Sequence, residues 1–92
     1  MDRQPVLIVD DDPIIRETLM EALGSGGYLV QSADTAEEAL RKMGETRFAV
    51  VLTDMHMPGG ASGLQLLSEI RRIDPRLTTF LARRRGFLVS RA

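Results

Sequence analysis

The sequence predicts an α/β domain: a doubly wound parallel sheet with helices on both faces and an incomplete C-terminal part. Two apolar runs, residues 6–9 (Val-Leu-Ile-Val) and 50–53 (Val-Val-Leu-Thr), are rich in β-branched residues and do not alternate. That is the pattern of strands buried on both faces. Helical spacings lie between and after them, giving the order β-α-β-α-β-α, which calls for parallel strands and crossover helices. Both runs end in acid, Asp10-Asp11-Asp12 after the first and Asp54 after the second. In open parallel sheets ligands bind at the edge where strands emerge.

Each element has a local reason. Asp12 followed by Pro13 starts a helix, with a capping side chain and then proline at the first helical position. Ile15, Leu19, Ala22 and Leu23 continue it at helical spacing, and the glycine-rich stretch 24–27 stops it. Residues 28–33 read as a short strand, more exposed than the first. Thr35 and Glu38 have capping-box spacing. Behind them Ala36, Ala39, Leu40 and Met43 make an apolar stripe that Gly44 is expected to end. Residues 48–53 form the third strand. Residues 55–62, with a proline and two glycines, are a loop. Residues 63–73 form a third helix, with Leu64, Leu67 and Ile70 on one side and Asp74-Pro75 as terminator. Right-handed crossovers place the first strand between the second and third. Asp10, Asp11 and Asp54 then converge at the ends of neighbouring strands, about 5 Å apart laterally.

Composition narrows the class. Ninety-two residues, 43% hydrophobic and 27% charged, suit one small globular domain, residues 1–92, rather than a disordered chain. With no cysteine there is neither a disulfide framework nor a thiolate metal site, in keeping with a reducing cytoplasm. No apolar run reaches membrane-spanning length and the N-terminus lacks a signal-peptide pattern, so a soluble cytoplasmic protein is expected. The net charge of -1 conceals a split: residues 1–54 hold 11 acidic and 5 basic side chains, residues 55–92 hold 2 acidic and 7 basic. Three clustered carboxylates repel by about 4 kcal/mol per pair at 4 Å and an effective dielectric of 20. Protons or a cation must offset this, and Mg²⁺ suits hard oxygen ligands with few protein carboxylates.

The motifs at 6–12 (Val-Leu-Ile-Val-Asp-Asp-Asp), 27–30 (Gly-Tyr-Leu-Val), 35–40 (Thr-Ala-Glu-Glu-Ala-Leu), 50–58 (Val-Val-Leu-Thr-Asp-Met-His-Met-Pro) and 62–67 (Ser-Gly-Leu-Gln-Leu-Leu) stand in order. Together they resemble the receiver domain of two-component response regulators, a flavodoxin-like fold with a chemotaxis member among its examples. The resemblance covers residues 5 to about 75. It implies that Asp54 is the phosphoacceptor and that Asp10 and Asp11 hold Mg²⁺ with Asp54. His56 would lend its backbone carbonyl to the metal, and Met57-Pro58 would shape the following loop. It also implies a sensor histidine kinase or phosphotransfer protein as partner, and no independent turnover of a substrate.

Residues 76–92 depart from the family pattern. The family continues through a fourth strand ending in a hydroxyl residue, a helix, a fifth strand ending in lysine and proline, and a last helix; seventeen residues cannot hold all of these. Residues 77–81 fit the fourth strand, but Leu81-Ala82 stands where the hydroxyl and an alanine are expected. Residues 86–91 resemble the fifth strand, with Ser90 at the lysine position and Arg91 at the proline. The switch hydroxyl and the lysine therefore remain unassigned. The tail descends either from a deletion or frame change, or from a natural minimal variant that completes its sheet with another subunit. An unpaired edge and uncovered apolar faces favour association in both cases, so a homodimer, with or without strand exchange, is expected. Arg83-Arg84-Arg85 reads as a solvated basic turn without interleaved aromatics, so no direct nucleic-acid binding is expected. Two other functions compete: a non-phosphorylatable pseudo-receiver acting as a dimerisation or protein-interaction module, and a small aspartyl-phosphate phosphatase suggested by Asp10-x-Asp12, for which a cap domain and second catalytic segment are wanting.

Overall fold

Five strands, β1 (Pro5–Val9), β2 (Leu29–Ala33), β3 (Val50–Asp54), β4 (Thr78–Arg83) and β5 (Gly86–Ser90), pair into one sheet in the order β2-β1-β3-β4-β5. Three helices, α1 (Pro13–Ser25), α2 (Ala36–Glu45) and α3 (Gly63–Ile73), connect them. This is a computed structural model, and it describes residues 5–54, 63–83 and 86–90, with side chains over 5–54 and 65–79. β1 lies between β2 and β3 and is parallel to both, with Val9 level with Ala33 on one side and Thr53 on the other. β4 is parallel to β3, so four strands run the same way.

The fifth strand corrects the sequence expectation. β5 is antiparallel to β4, pairing Arg83 with Gly86 and Thr79 with Ser90. Only residues 84 and 85 separate the two strands. A parallel return needs a crossover of roughly a dozen residues or more, whereas a two-residue connection closes a hairpin. Ser90 therefore does not stand at the lysine position. It lies beside Thr79, toward the end of the sheet opposite Asp54.

Local chemistry sets the helix ends. The Asp12 side chain accepts a hydrogen bond from the Ile14 N–H at 2.9 Å, capping α1. The helix runs through Gly24 to Ser25, and the turn that follows places Gly27 at a φ of 95°, where glycine carries no Cβ penalty. Thr35 Oγ1 accepts from the Glu38 N–H at 3.1 Å at the start of α2. The Glu38 carboxylate is engaged by Arg41 rather than by a returning cap bond. Gly44 does not end α2, which continues to Glu45 with an Arg41–Glu45 ion pair across the last turn.

The core sits on one side of the sheet. Leu7, Val9 and Val51 pack with Ala36 and Ala39 of α2, Leu66 and Ile70 of α3, and Phe48 and Leu77. Each large side chain buried this way contributes about 1.5–3 kcal/mol. Phe48 is buried although β3 starts only at Val50, so the expected strand at 48–53 was too early by two residues. The other face is thinly covered. α1 lies over β1 and β2, beneath which Val6 and Ile8 are buried, but no α1 side chain is itself buried. Val50 and Leu52, in the central strand β3, remain half-buried.

Candidate functional site

Asp10 and Asp11 follow β1 directly, and Asp54 is the last residue of β3. Parallel pairing of these adjacent strands brings the three carboxylates to one edge, where an oxygen from each lies within 4.8 Å of the others. Asp10 is buried, Asp54 half-buried and Asp11 exposed, so the cluster opens from the core to solvent.

Asp10 is held from several sides. Its N–H donates to the Ala33 carbonyl at 3.1 Å, extending the β1–β2 ladder by one bond. Its Oδ1 accepts from the Asp12 N–H at 2.9 Å, and its carbonyl accepts from Arg16 Nη1 at 2.7 Å. Burial pushes the Asp10 carboxyl above its ordinary value; the Asp12 N–H opposes that shift, and the charges of Asp54 and Asp11 add to it.

The donor set fits a small hard cation. Oxygens sharing one Mg²⁺ lie about 3 to 4 Å apart, given bonds of about 2.1 Å and octahedral geometry. The three oxygens lie within 4.8 Å of one another, close enough for modest side-chain rotation or a bridging water to complete such a set. A cation here also relieves the mutual repulsion of the carboxylates.

The sequence-predicted residues divide clearly. Asp10, Asp11 and Asp54 come together, and Asp12 caps α1. His56, Met57 and Pro58 lie outside the described residues, as do Arg84, Arg85 and Arg91. The register of β4 sets Leu81 beside Thr53 and Ala82 beside Asp54, so no hydroxyl residue of β4 is level with the carboxylates. Thr79, three residues before Ala82, is fully buried, and its hydroxyl has no hydrogen-bond partner among the described residues. The chain's single lysine, Lys42, donates to the Ser32 carbonyl. Sequence reasoning missed Arg16; the available signal was a lone basic residue one turn into a helix that starts from an acidic run.

An open, doubly wound sheet with carboxylates at the mouths of two neighbouring strands defines an α/β domain with an acidic pocket at the strand ends. Residues 6–82 match the response regulator receiver domain family, and the chain belongs to it. A response regulator receiver protein of Anaeromyxobacter sp. is 49% identical over 71 residues, which are 75% of this chain and 29% of that protein. The chain thus spans less than a third of the length of that curated relative. The crystal structure of a response regulator receiver protein from Pseudomonas putida superposes with a TM-score of 0.82 at 34% identity, covering 89% of this chain and 69% of that one. The Thermotoga maritima response regulator TrrA, solved in complex with Mg(2+)-BeF, gives a TM-score of 0.76 at 38% identity, covering 85% and 65%. Among the described residues no helix is long and apolar enough to cross a membrane.

Proposed function

We propose that this receiver domain accepts a phosphoryl group on Asp54 with Mg²⁺ held by Asp10, Asp11 and Asp54. The observation that carries this is the convergence of the three carboxylates at one sheet edge. When bound, the cation supplies positive charge that neutralises the pocket and the oxygens of an incoming phosphoryl group. The chain's own residues do the rest. The β3 backbone fixes Asp54 at the sheet edge, and the residue is only half-buried, as a group approached by a donor must be. A carboxylate oxygen of Asp54 forms the new O–P bond while the donor's bond to phosphorus breaks. The bonding pair leaves with the donor, as the imidazole of a phosphohistidine, which takes up a proton, or as the carboxylate of a small acyl phosphate. One group is transferred per chain, so the domain is an acceptor without turnover of its own. A histidine kinase or phosphotransfer protein is the proposed donor, and a cytoplasmic location is part of the same proposal.

Incubation with Mg²⁺ and a small acyl phosphate, followed by intact-mass measurement, is expected to show one added phosphoryl group, absent in Asp54→Asn and in excess chelator. An unmodified wild-type chain that still binds Mg²⁺ refutes phosphoryl acceptance and supports the pseudo-receiver instead.

Association is the second part of the proposal. Half-buried Val50 and Leu52 in a central strand, and a helix α1 that buries no side chain, leave apolar surface that a second copy can cover. A homodimer is expected by size exclusion with light scattering in the micromolar range; monomer alone at tens of micromolar rejects it.

A further inference from the structure

We propose that Arg16 is a positioning residue for the acidic pocket: by holding the Asp10 peptide it fixes the directions in which the Asp10 and Asp11 carboxylates leave β1, and so sets how tightly the pocket takes a divalent cation. This rests on the pocket being a Mg²⁺ site, as proposed above. Only Asp10, Asp11 and Asp12 lie between the end of β1 at Val9 and the start of α1 at Pro13. The peptide joining Asp10 to Asp11 governs both side chains, because its rotation swings the Asp11 Cα–Cβ bond relative to Asp10. The Asp10 N–H is fixed by the sheet, through Ala33, and its Oδ1 by the Asp12 N–H. Its carbonyl is fixed by Arg16 Nη1 at 2.7 Å, a charge-assisted bond from the body of α1. Since α1 buries no side chain, packing alone does little to hold its first turns against this loop.

The choice of acceptor matters. A guanidinium on the Asp10 carboxylate would occupy the oxygens that a cation needs. Bonded to the carbonyl instead, Arg16 steadies the backbone and leaves those oxygens to the ion. Such support beyond the ligands typically changes metal affinity about 10- to 100-fold when removed.

The test is calorimetric titration of the full chain with Mg²⁺ alone, comparing wild type with Arg16→Gln and Arg16→Lys. Thermal melts identify any variant that fails to fold, and Arg16→Lys, which keeps a donor and the charge, serves if Arg16→Gln does not fold. Arg16→Gln is expected to weaken Mg²⁺ binding by about 10-fold or more, with Arg16→Lys in between. At saturating Mg²⁺ the rate of acyl-phosphate labelling on Asp54 is expected to stay near the wild-type rate, a split that simple destabilisation does not produce. Unchanged Mg²⁺ affinity in folded Arg16→Gln overturns the proposal, as does slower labelling at saturating Mg²⁺ with unchanged affinity. If the wild type binds Mg²⁺ but takes no phosphoryl group, phosphoryl acceptance fails, and the titrations with Mg²⁺ alone still decide the role of Arg16.

Discussion

Replacing Asp10 with asparagine is expected to stabilise the metal-free protein at neutral pH. Asn keeps the shape and the oxygen that accepts from the Asp12 N–H at 2.9 Å, so the change removes charge and little else. Two carboxylates at the 4.8 Å limit of the cluster repel by about 3.5 kcal/mol at an effective dielectric of 20. Asp11 is exposed and Asp54 half-buried, so solvent screening cuts this to about 1–2 kcal/mol in total. For a domain of this size that corresponds to a rise in Tm of about 5–10 °C. The pH dependence has a definite sign. Folding raises the Asp10 pKa, chiefly through burial, so the Asp10 contribution to stability is fully present below the ordinary carboxylate value and is lost as pH rises through the raised one. The gap between variant and wild type should therefore be closed in acid and open toward neutral pH. Thermal unfolding followed by circular dichroism, in chelator and in millimolar Mg²⁺, gives both curves. Mg²⁺ should raise the wild-type Tm by mass action and leave the variant nearly unmoved. A variant no more stable than wild type in chelator at neutral pH would show that the three carboxylates do not form a repelling cluster.

Three further substitutions probe other contacts. Thr79→Val exchanges a buried hydroxyl that lacks a partner among the described residues for a methyl of similar shape, and should stabilise by about 1 kcal/mol or more in urea unfolding; a loss of stability would mean that the hydroxyl is satisfied. Thr35→Ala removes the cap on the Glu38 N–H and should cost about 1 kcal/mol, read as a lower urea midpoint at unchanged slope. Ile70→Ala opens the core where α3 meets the sheet and should cost about 2–5 kcal/mol, enough to leave much of the chain unfolded at 37 °C; a cost below 1 kcal/mol would refute the burial of that face.

What was legible in the sequence was local or periodic. The unbroken apolar runs ending in Asp10 and Asp54 located the two central strands and the edge where their acids meet. Asp12-Pro13 and Thr35-x-x-Glu38 located two helix starts within a residue, because capping needs only neighbouring atoms. The direction of β5 was obscured by the family pattern of a fifth strand, although the four residues between the expected strands at 77–81 and 86–91 were already too few for a parallel crossover. The stripe of Ile15, Leu19, Ala22 and Leu23 showed that α1 is helical but overstated its burial, because periodicity reports which face is apolar and not whether anything covers it: Ile15 is 43% exposed. Gly44 did not act as the stop itself: it stays helical, and α2 ends one residue later at Glu45. Arg16 left only a faint mark, a lone basic residue one turn beyond an acidic run, because it matters through a backbone carbonyl six residues away. Thr79 left none, because it matters through the lack of a partner for its hydroxyl among the described residues.

All three pocket carboxylates come from the first 54 residues, whereas the two strands beyond β3, which form the turned-back hairpin, lie between residues 78 and 90. Charge handling and sheet completion are thus encoded in separate stretches of the chain. Variation downstream of residue 77 reshapes one side of the sheet while leaving in place the backbone that carries all three aspartates, so the two stretches can diverge at different rates.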